Sequence, residues 1–150
     1  MIKIYPNILD EKDLQSILEI IPLSEQQVVE YSPNVTTVVM PKLPSVKSVV
    51  KQFGDITFTE ILTYGPNALS PAHVDNGPID VWKQWKMTGI LVCTDDYTGG
   101  ELFFSKMNII MKPPKNTLIL FPAGPGTEIY EHGVSEVISG NRVTMIFRFI

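Results

Sequence analysis

Short apolar runs closed by turn residues limit what this chain can fold into: twelve Pro and ten Gly separate segments rich in Val, Ile, Thr and Phe. Side chains of that kind suit a pleated, half-buried surface, and runs so interrupted cannot build a helical bundle. The pattern predicts strands at residues 2–5, 28–31, 35–40, 56–64, 72–75, 86–94, 101–104, 109–111, 118–121, 129–132 and 142–149. That count suits a jelly roll, or double-stranded β-helix. With 44% of its 150 residues hydrophobic, the chain can bury one substantial core and has no room for a second full domain.

Two stretches near the start break the β pattern. Asp10 can cap a helix whose apolar positions Leu14, Ile17, Leu18 and Ile21 recur at helical spacing until Pro22 stops it. Val46, Val49, Val50 and Phe53 repeat the spacing after Ser45 and end at Gly54, a residue suited to the left-handed position after a helix. Each helix has one apolar face to cover. The expected architecture is two helices packed on the outer face of one sheet of a β-sandwich whose interior holds the site.

The formal net charge is −4, with Lys and Arg scattered, so nothing resembles the basic stripe that binds phosphate backbones, and nucleic acid is not expected as a partner. Cys93 stands alone inside an apolar run; it reads as a small buried hydrophobe and allows no intrachain disulfide. No segment reaches the length of a membrane span and no leader pattern opens the chain, so the expectation is a soluble, cytoplasmic protein with no membrane partner.

The chain has only two histidines. His73 is followed two places later by Asp75, and in a strand those two side chains share a face, with Val74 on the other. His132 can supply a third group from a later strand. Two histidines and one carboxylate on one side of an ion, with the other positions open, is the ligand set of non-haem iron(II) oxygenases. Other carboxylates compete weakly: Glu131 adjoins His132 and should face away, while Asp80, Asp95 and Asp96 fall in loops. Arg142 follows a Ser-Gly-Asn turn and opens the last strand. Arg148 shares its face but lies roughly 20 Å further along, too far to serve the same ligand.

Four ordered pieces carry a resemblance to a known family. They are Tyr64-Gly65-Pro66 leading to His73-Val74-Asp75; Gly99-Gly100-Glu101-Leu102 with Phe103 and Phe104; residues 115–122, ending Leu-Ile-Leu-Phe-Pro; and His132-Gly133-Val134 through Arg142. Over residues 56–149 the chain resembles the 2-oxoglutarate and iron(II)-dependent dioxygenases, prolyl hydroxylase-like branch. The resemblance implies one oxygenase domain, with residues 1–55 as helical support and 56–150 as the catalytic β core. It makes His73, Asp75 and His132 the iron ligands and places Arg142 on the distal carboxylate of 2-oxoglutarate. A guanidinium matches that carboxylate in the plane. Thr144 can add a hydroxyl from the same strand face, and Tyr64 matches a family tyrosine beside the co-substrate; packing of the interior is the competing role for both.

The implied cofactors are Fe(II), 2-oxoglutarate and O2, with ascorbate in a supporting role. The implied substrate is a prolyl residue in a peptide or protein. Collagen-type relatives carry lysine where Arg142 stands and oxygen-sensing relatives carry arginine, so the subfamily stays open. Trp82 and Trp85, close in sequence to the ligands, can form part of a substrate wall or cover the core edge. Competing functions are a hydroxylase of a free amino acid or other small molecule, a cupin-like metalloenzyme that does not use 2-oxoglutarate, and a non-catalytic jelly-roll binding or structural module.

Overall fold

The computed structural model describes residues 1–75 and 84–150. After strand β1 (Lys3–Tyr5), helix α1 (Glu11–Ile20) starts where expected: a side-chain oxygen of Asp10 accepts from the Asp13 amide at 2.7 Å, satisfying one of the open N–H groups of the first turn. Pro22 lies in the 3-10 turn Ile21–Leu23 that ends it. Helix α2 (Pro44–Val50) begins one residue before Ser45 and has no side-chain cap; Pro44 occupies its first turn, where a missing N–H costs nothing. It tightens into the 3-10 turn Lys51–Phe53. Gly54 then adopts φ +156° and ψ 177°, an opened-out backbone in place of the left-handed helical conformation expected there.

The remaining strands are β2 (Gln27–Val28), β3 (Val35–Val39), β4 (Ile56–Tyr64), β5 (Ser70–His73), β6 (Met87–Val92), β7 (Thr98–Gly99), β8 (Leu102–Phe104), β9 (Ile109–Met111), β10 (Thr117–Pro122), β11 (His132–Val134), β12 (Val137–Ser139) and β13 (Arg142–Phe149). A seven-stranded major sheet, in the order β1-β10-β6-β13-β4-β3-β2, faces a four-stranded minor sheet, β5-β11-β8-β9; β12 and β7 pair separately. This is the mainly β jelly roll that the strand count implied.

Three expected strands differ, and the one at 72–75 lies instead at Ser70–His73, ending before Asp75. The segment at 28–31 shrinks to β2, because the chain turns through Ser32 to Asn34 to bring β3 back against it. The segment at 129–132 is instead the 3-10 turn Glu128–Tyr130, and His132 opens a strand rather than closing one.

Alternation across the major sheet divides two cores. Ile61, Leu91, Met145, Phe147 and Phe149 face outward onto Leu14, Ile17, Val46 and Val50 of the helices. Their neighbours Leu62, Ile90 and Ile146 face inward, toward Leu102, Phe104 and Val134 of the minor sheet. Phe147 is fully buried in the outer core. Truncating it to Ala would cost about 3–5 kcal/mol, a large share of the stability of a domain this size. The register of β13 with β4 and β6 sets a polar group beside these inward apolar residues: Arg142 opposite Tyr64, and Arg148 opposite Thr88.

Candidate active site

The two histidines meet across a strand pair, His132 on β11 lying directly opposite His73 on β5, with ring centroids 4.5 Å apart. Close approach of these strands requires Gly133. A Cβ there would lie 2.5 Å from the Ser70 carbonyl oxygen and 2.5 Å from Cζ of Phe103. Phe121 and Phe104 pack on the His132 ring at 4.7 and 5.7 Å between centroids, so the imidazole has little freedom to turn.

Hydrogen bonds set the tautomer of both rings. Nδ1 of His73 lies 2.8 Å from the Pro71 carbonyl oxygen, and Nδ1 of His132 lies 2.9 Å from that of Tyr130. A carbonyl can only accept, so each Nδ1 carries a hydrogen; in the neutral ring Nε2 then presents its lone pair to the site, and only the protonated ring can donate from Nε2 to Asp75. Both Nε2 atoms face Asp75, at 3.5 Å from Oδ1 and 3.7 Å from Oδ2 respectively. Among the described residues, these three form the one cluster of metal-binding groups, with ligand atoms all within 4.8 Å of each other. The donor set fits a divalent iron ion.

Asp75 reaches the site by a route other than strand alternation. β5 ends at His73, and Asp75 sits in a bend beyond it. Its carboxylate is drawn inward by two donors: Thr88 Oγ1 at 2.8 Å and Arg148 Nη1 at 2.5 Å, both on Oδ2. Burial alone would raise its pKa, but the Arg148 charge, the His73 hydrogen bond, the His132 charge and the Thr88 hydroxyl outweigh burial and hold the carboxyl well below the usual range. Burial also acts against the charged form of His73, yet its bonds to Asp75 and Pro71 prevail and raise its pKa. The pKa of His132 is lowered, chiefly by burial, which favours the neutral ring.

From this cluster a cavity of about 240 Å³ runs between the sheets, lined by Leu62, Ile90, Leu102, Val134 and Ile146 with Tyr64, Arg142 and Thr144. Arg142 is 4% exposed. Its Nε donates to the Gly100 carbonyl at 3.1 Å and its guanidinium lies 5.2 Å from the Tyr64 ring centroid. Among the described residues no carboxylate pairs with it. Thr144 Oγ1 is buried with no hydrogen-bond partner, and the Tyr64 hydroxyl lies 3.0 Å from that of Tyr31. A buried cation beside an unsatisfied hydroxyl is an expensive arrangement unless an anion enters to meet them. Those groups fit the far carboxylate of 2-oxoglutarate.

Two of the weakly competing carboxylates lie outside the cavity. Glu131 points away, accepting from Ser105 Oγ at 2.6 Å, and Asp95 accepts from the Lys115 amide at 3.1 Å. Trp85 is not in the cavity wall: it stacks near Phe58 and lies behind Arg148, whose guanidinium sits 4.8 Å from its ring centroid. Trp82 and Asp80 lie outside the described residues. The cavity is also lined by Thr88, Glu60 and Tyr31, which were not among the expected site residues, and by Arg148, set aside as too distant from Arg142. A signal for Arg148 existed, a charge on the inward face of an apolar strand.

A jelly roll with two histidines and a carboxylate at its interior, and a buried guanidinium deeper in the same cavity, is the arrangement of an iron oxygenase that takes an oxo-acid co-substrate. The sequence pattern of the 2OG-Fe(II) oxygenase superfamily matches residues 59–149, and the chain belongs to that superfamily. It is an Fe(II)- and 2-oxoglutarate-dependent dioxygenase, with O2 as the second co-substrate.

Among solved structures, the chain is similar to the viral collagen prolyl hydroxylase of Paramecium bursaria Chlorella virus-1 in its 2-oxoglutarate complex, at 19% identity and a TM-score of 0.77, covering 99% of this chain and 96% of that one. A Pseudomonas putida prolyl-4-hydroxylase matches at 14% identity and 0.71, covering 99% and 92%. A Trichoplax adhaerens prolyl hydroxylase, in complex with a hypoxia-inducible-factor peptide fragment, matches at 15% and 0.70, covering 99% and 83%. At these identities the likeness concerns the fold. No curated protein matches the sequence. No helix among the described residues is long and apolar enough to cross a membrane.

Proposed function

We propose that His73, Asp75 and His132 bind Fe(II), that Arg142, Thr144 and Tyr64 hold the distal carboxylate of 2-oxoglutarate, and that the substrate is a prolyl residue in a peptide or protein. The observation that carries the co-substrate assignment is the buried Arg142 guanidinium, without a carboxylate partner among the described residues, in the cavity that the two histidines also line. Once bound, iron and 2-oxoglutarate supply the oxidant: one atom of O2 enters succinate, formed with loss of CO2, and the other enters a C–H bond of the substrate.

The protein's own contribution is placement. The carbonyls of Pro71 and Tyr130 fix both imidazoles with Nε2 toward the ion. Thr88 and Arg148 hold Oδ2 of Asp75, leaving Oδ1 to face His73 and the metal position. The Tyr64 hydroxyl can accept from Tyr31 while donating to a carboxylate. Apolar walls from both sheets exclude water from the oxidation.

The prolyl assignment draws on the prolyl hydroxylase neighbours, one of which holds a peptide. Mass spectrometry of proline-containing peptides after incubation with Fe(II), 2-oxoglutarate and O2 tests it. The expected product carries one added oxygen on proline, with succinate formed alongside. Succinate stimulated only by free small molecules would instead assign a small-molecule hydroxylase.

A further inference from the structure

The cavity contains a second carboxylate that the iron and co-substrate do not use. Glu60 lies on β4 opposite Ile146 of β13, two places along from Arg148, and its side chain lines the same cavity as His73 and His132. Its Oε2 accepts from the Thr37 hydroxyl at 2.9 Å, and among the described residues no cation pairs with it.

Both guanidiniums of the cavity are engaged elsewhere. Arg142 faces Gly100 and the Tyr64 ring, and Arg148 faces Asp75, Thr88 and the Trp85 ring. Beside Glu60 stands Tyr31, which lines the cavity while remaining 43% exposed, and His73, also in the lining, is exposed as well. These partly exposed residues mark the mouth through which a substrate enters.

We propose that Glu60 and the Tyr31 ring form a subsite for a positively charged group of the substrate, an ammonium or guanidinium close to the carbon that is oxidised. A substrate filling the mouth strips water from Glu60, and a lone hydroxyl from Thr37 does not replace that hydration. A cation restores it through a charge-assisted bond, and the tyrosine face adds attraction of its own. A neutral or acidic substrate leaves the carboxylate desolvated and is selected against.

The inference rests on the oxygenase reading and narrows its substrate class. In a peptide the cation is a Lys or Arg next to the target proline; in a free amine it is the molecule's own ammonium.

The test measures succinate formation by wild type and Glu60→Gln with proline peptides of one length, flanked by Lys, norleucine or Glu, and separately with L-lysine. Glu60→Gln keeps the side-chain size and still accepts from Thr37, and its Fe(II)–2-oxoglutarate absorption band reports that the site is folded. Wild type is expected to favour the Lys peptide over the norleucine peptide by about tenfold or more in kcat/KM. Glu60→Gln should lose that preference, and Glu60→Lys should transfer it to the Glu peptide. Equal rates with Lys and norleucine in wild type, or an equal loss for all three peptides in Glu60→Gln, would overturn the subsite. Stimulation by L-lysine alone, dependent on Glu60, would uphold the subsite and reject the prolyl peptide. Absence of any Glu60-dependent stimulation by a cationic probe would reject the subsite.

Discussion

Arg148 Nη1 lies 2.5 Å from Oδ2 of Asp75, the same oxygen that accepts from Thr88 Oγ1 at 2.8 Å. Arg148 and Thr88 are register partners on β13 and β6, so the major sheet itself grips a carboxylate carried by the bend after β5. The scaffold holds Oδ2, which also faces His132 Nε2 at 3.7 Å, and leaves Oδ1 toward His73. Groups that orient a metal ligand in this way affect affinity although they never touch the ion.

Arg148→Ala is therefore expected to weaken Fe(II) binding by about 10- to 100-fold. Thr88→Val, which removes one donor and keeps the shape, should have a smaller effect in the same direction. Anaerobic Fe(II) titration measures both. Unchanged affinity in Arg148→Ala would mean that Asp75 holds its position without the sheet.

Arg142→Ala removes the one charge available to the far carboxylate and should raise the Kd of 2-oxoglutarate by about 100-fold, leaving Fe(II) affinity near that of wild type. Arg142→Lys keeps a charge but loses the paired donors, so it should fall between the two. Isothermal titration at saturating Fe(II) gives the comparison. Parallel loss of metal and co-substrate binding in Arg142→Ala would place the arginine in the general architecture.

Gly133→Ala should disturb the site from its framework. The added methyl meets the Ser70 carbonyl and the Phe103 ring between the strands that carry the histidines. The expected cost is about 1–3 kcal/mol in urea denaturation, together with weaker Fe(II) binding, because β5 and β11 must separate to admit it. Stability lost with metal affinity intact would show that His73 and His132 do not depend on this close approach.

Cys93 supplies a pH dependence away from the metal. Burial pushes its thiol from 9.0 up to about 12. The folded state thus holds this proton more tightly than the unfolded chain does. The resulting contribution to stability is complete below the unfolded thiol's pKa and is lost as pH rises toward the folded value. The slope is about 1.4 kcal/mol per pH unit. Urea denaturation of wild type between about pH 9 and pH 11 should therefore show a steeper decline than Cys93→Ala. Equal slopes would mean that the thiol ionises as easily in the folded protein as outside it.

Much of the fold could be read from the sequence because each signal was local. Asp10 announced the first helix, Pro22 its end, and the alternation in 142–149 separated Met145 and Phe147 from Thr144 and Ile146. His73 and His132 were legible as the chain's only histidines. The route of Asp75 was not, since strand parity ends at His73 and the inward pull comes from Thr88 and Arg148, distant in sequence. Arg148 was set aside because its distance from Arg142 along the strand excluded a shared ligand. Register with β6, invisible in one sequence, gives it a different partner. Glu60 and Tyr31 join the cavity through the pairing of β4 with β3 and the turn before β3, which depend on contacts between segments.

Anaerobic absorption titration tests the central claim, that this cluster binds iron and 2-oxoglutarate together. Wild type should develop a visible band only when Fe(II) and 2-oxoglutarate are both present, and Asp75→Ala should fail to develop it under the same conditions. Absence of the band in wild type with both components saturating would contradict the account.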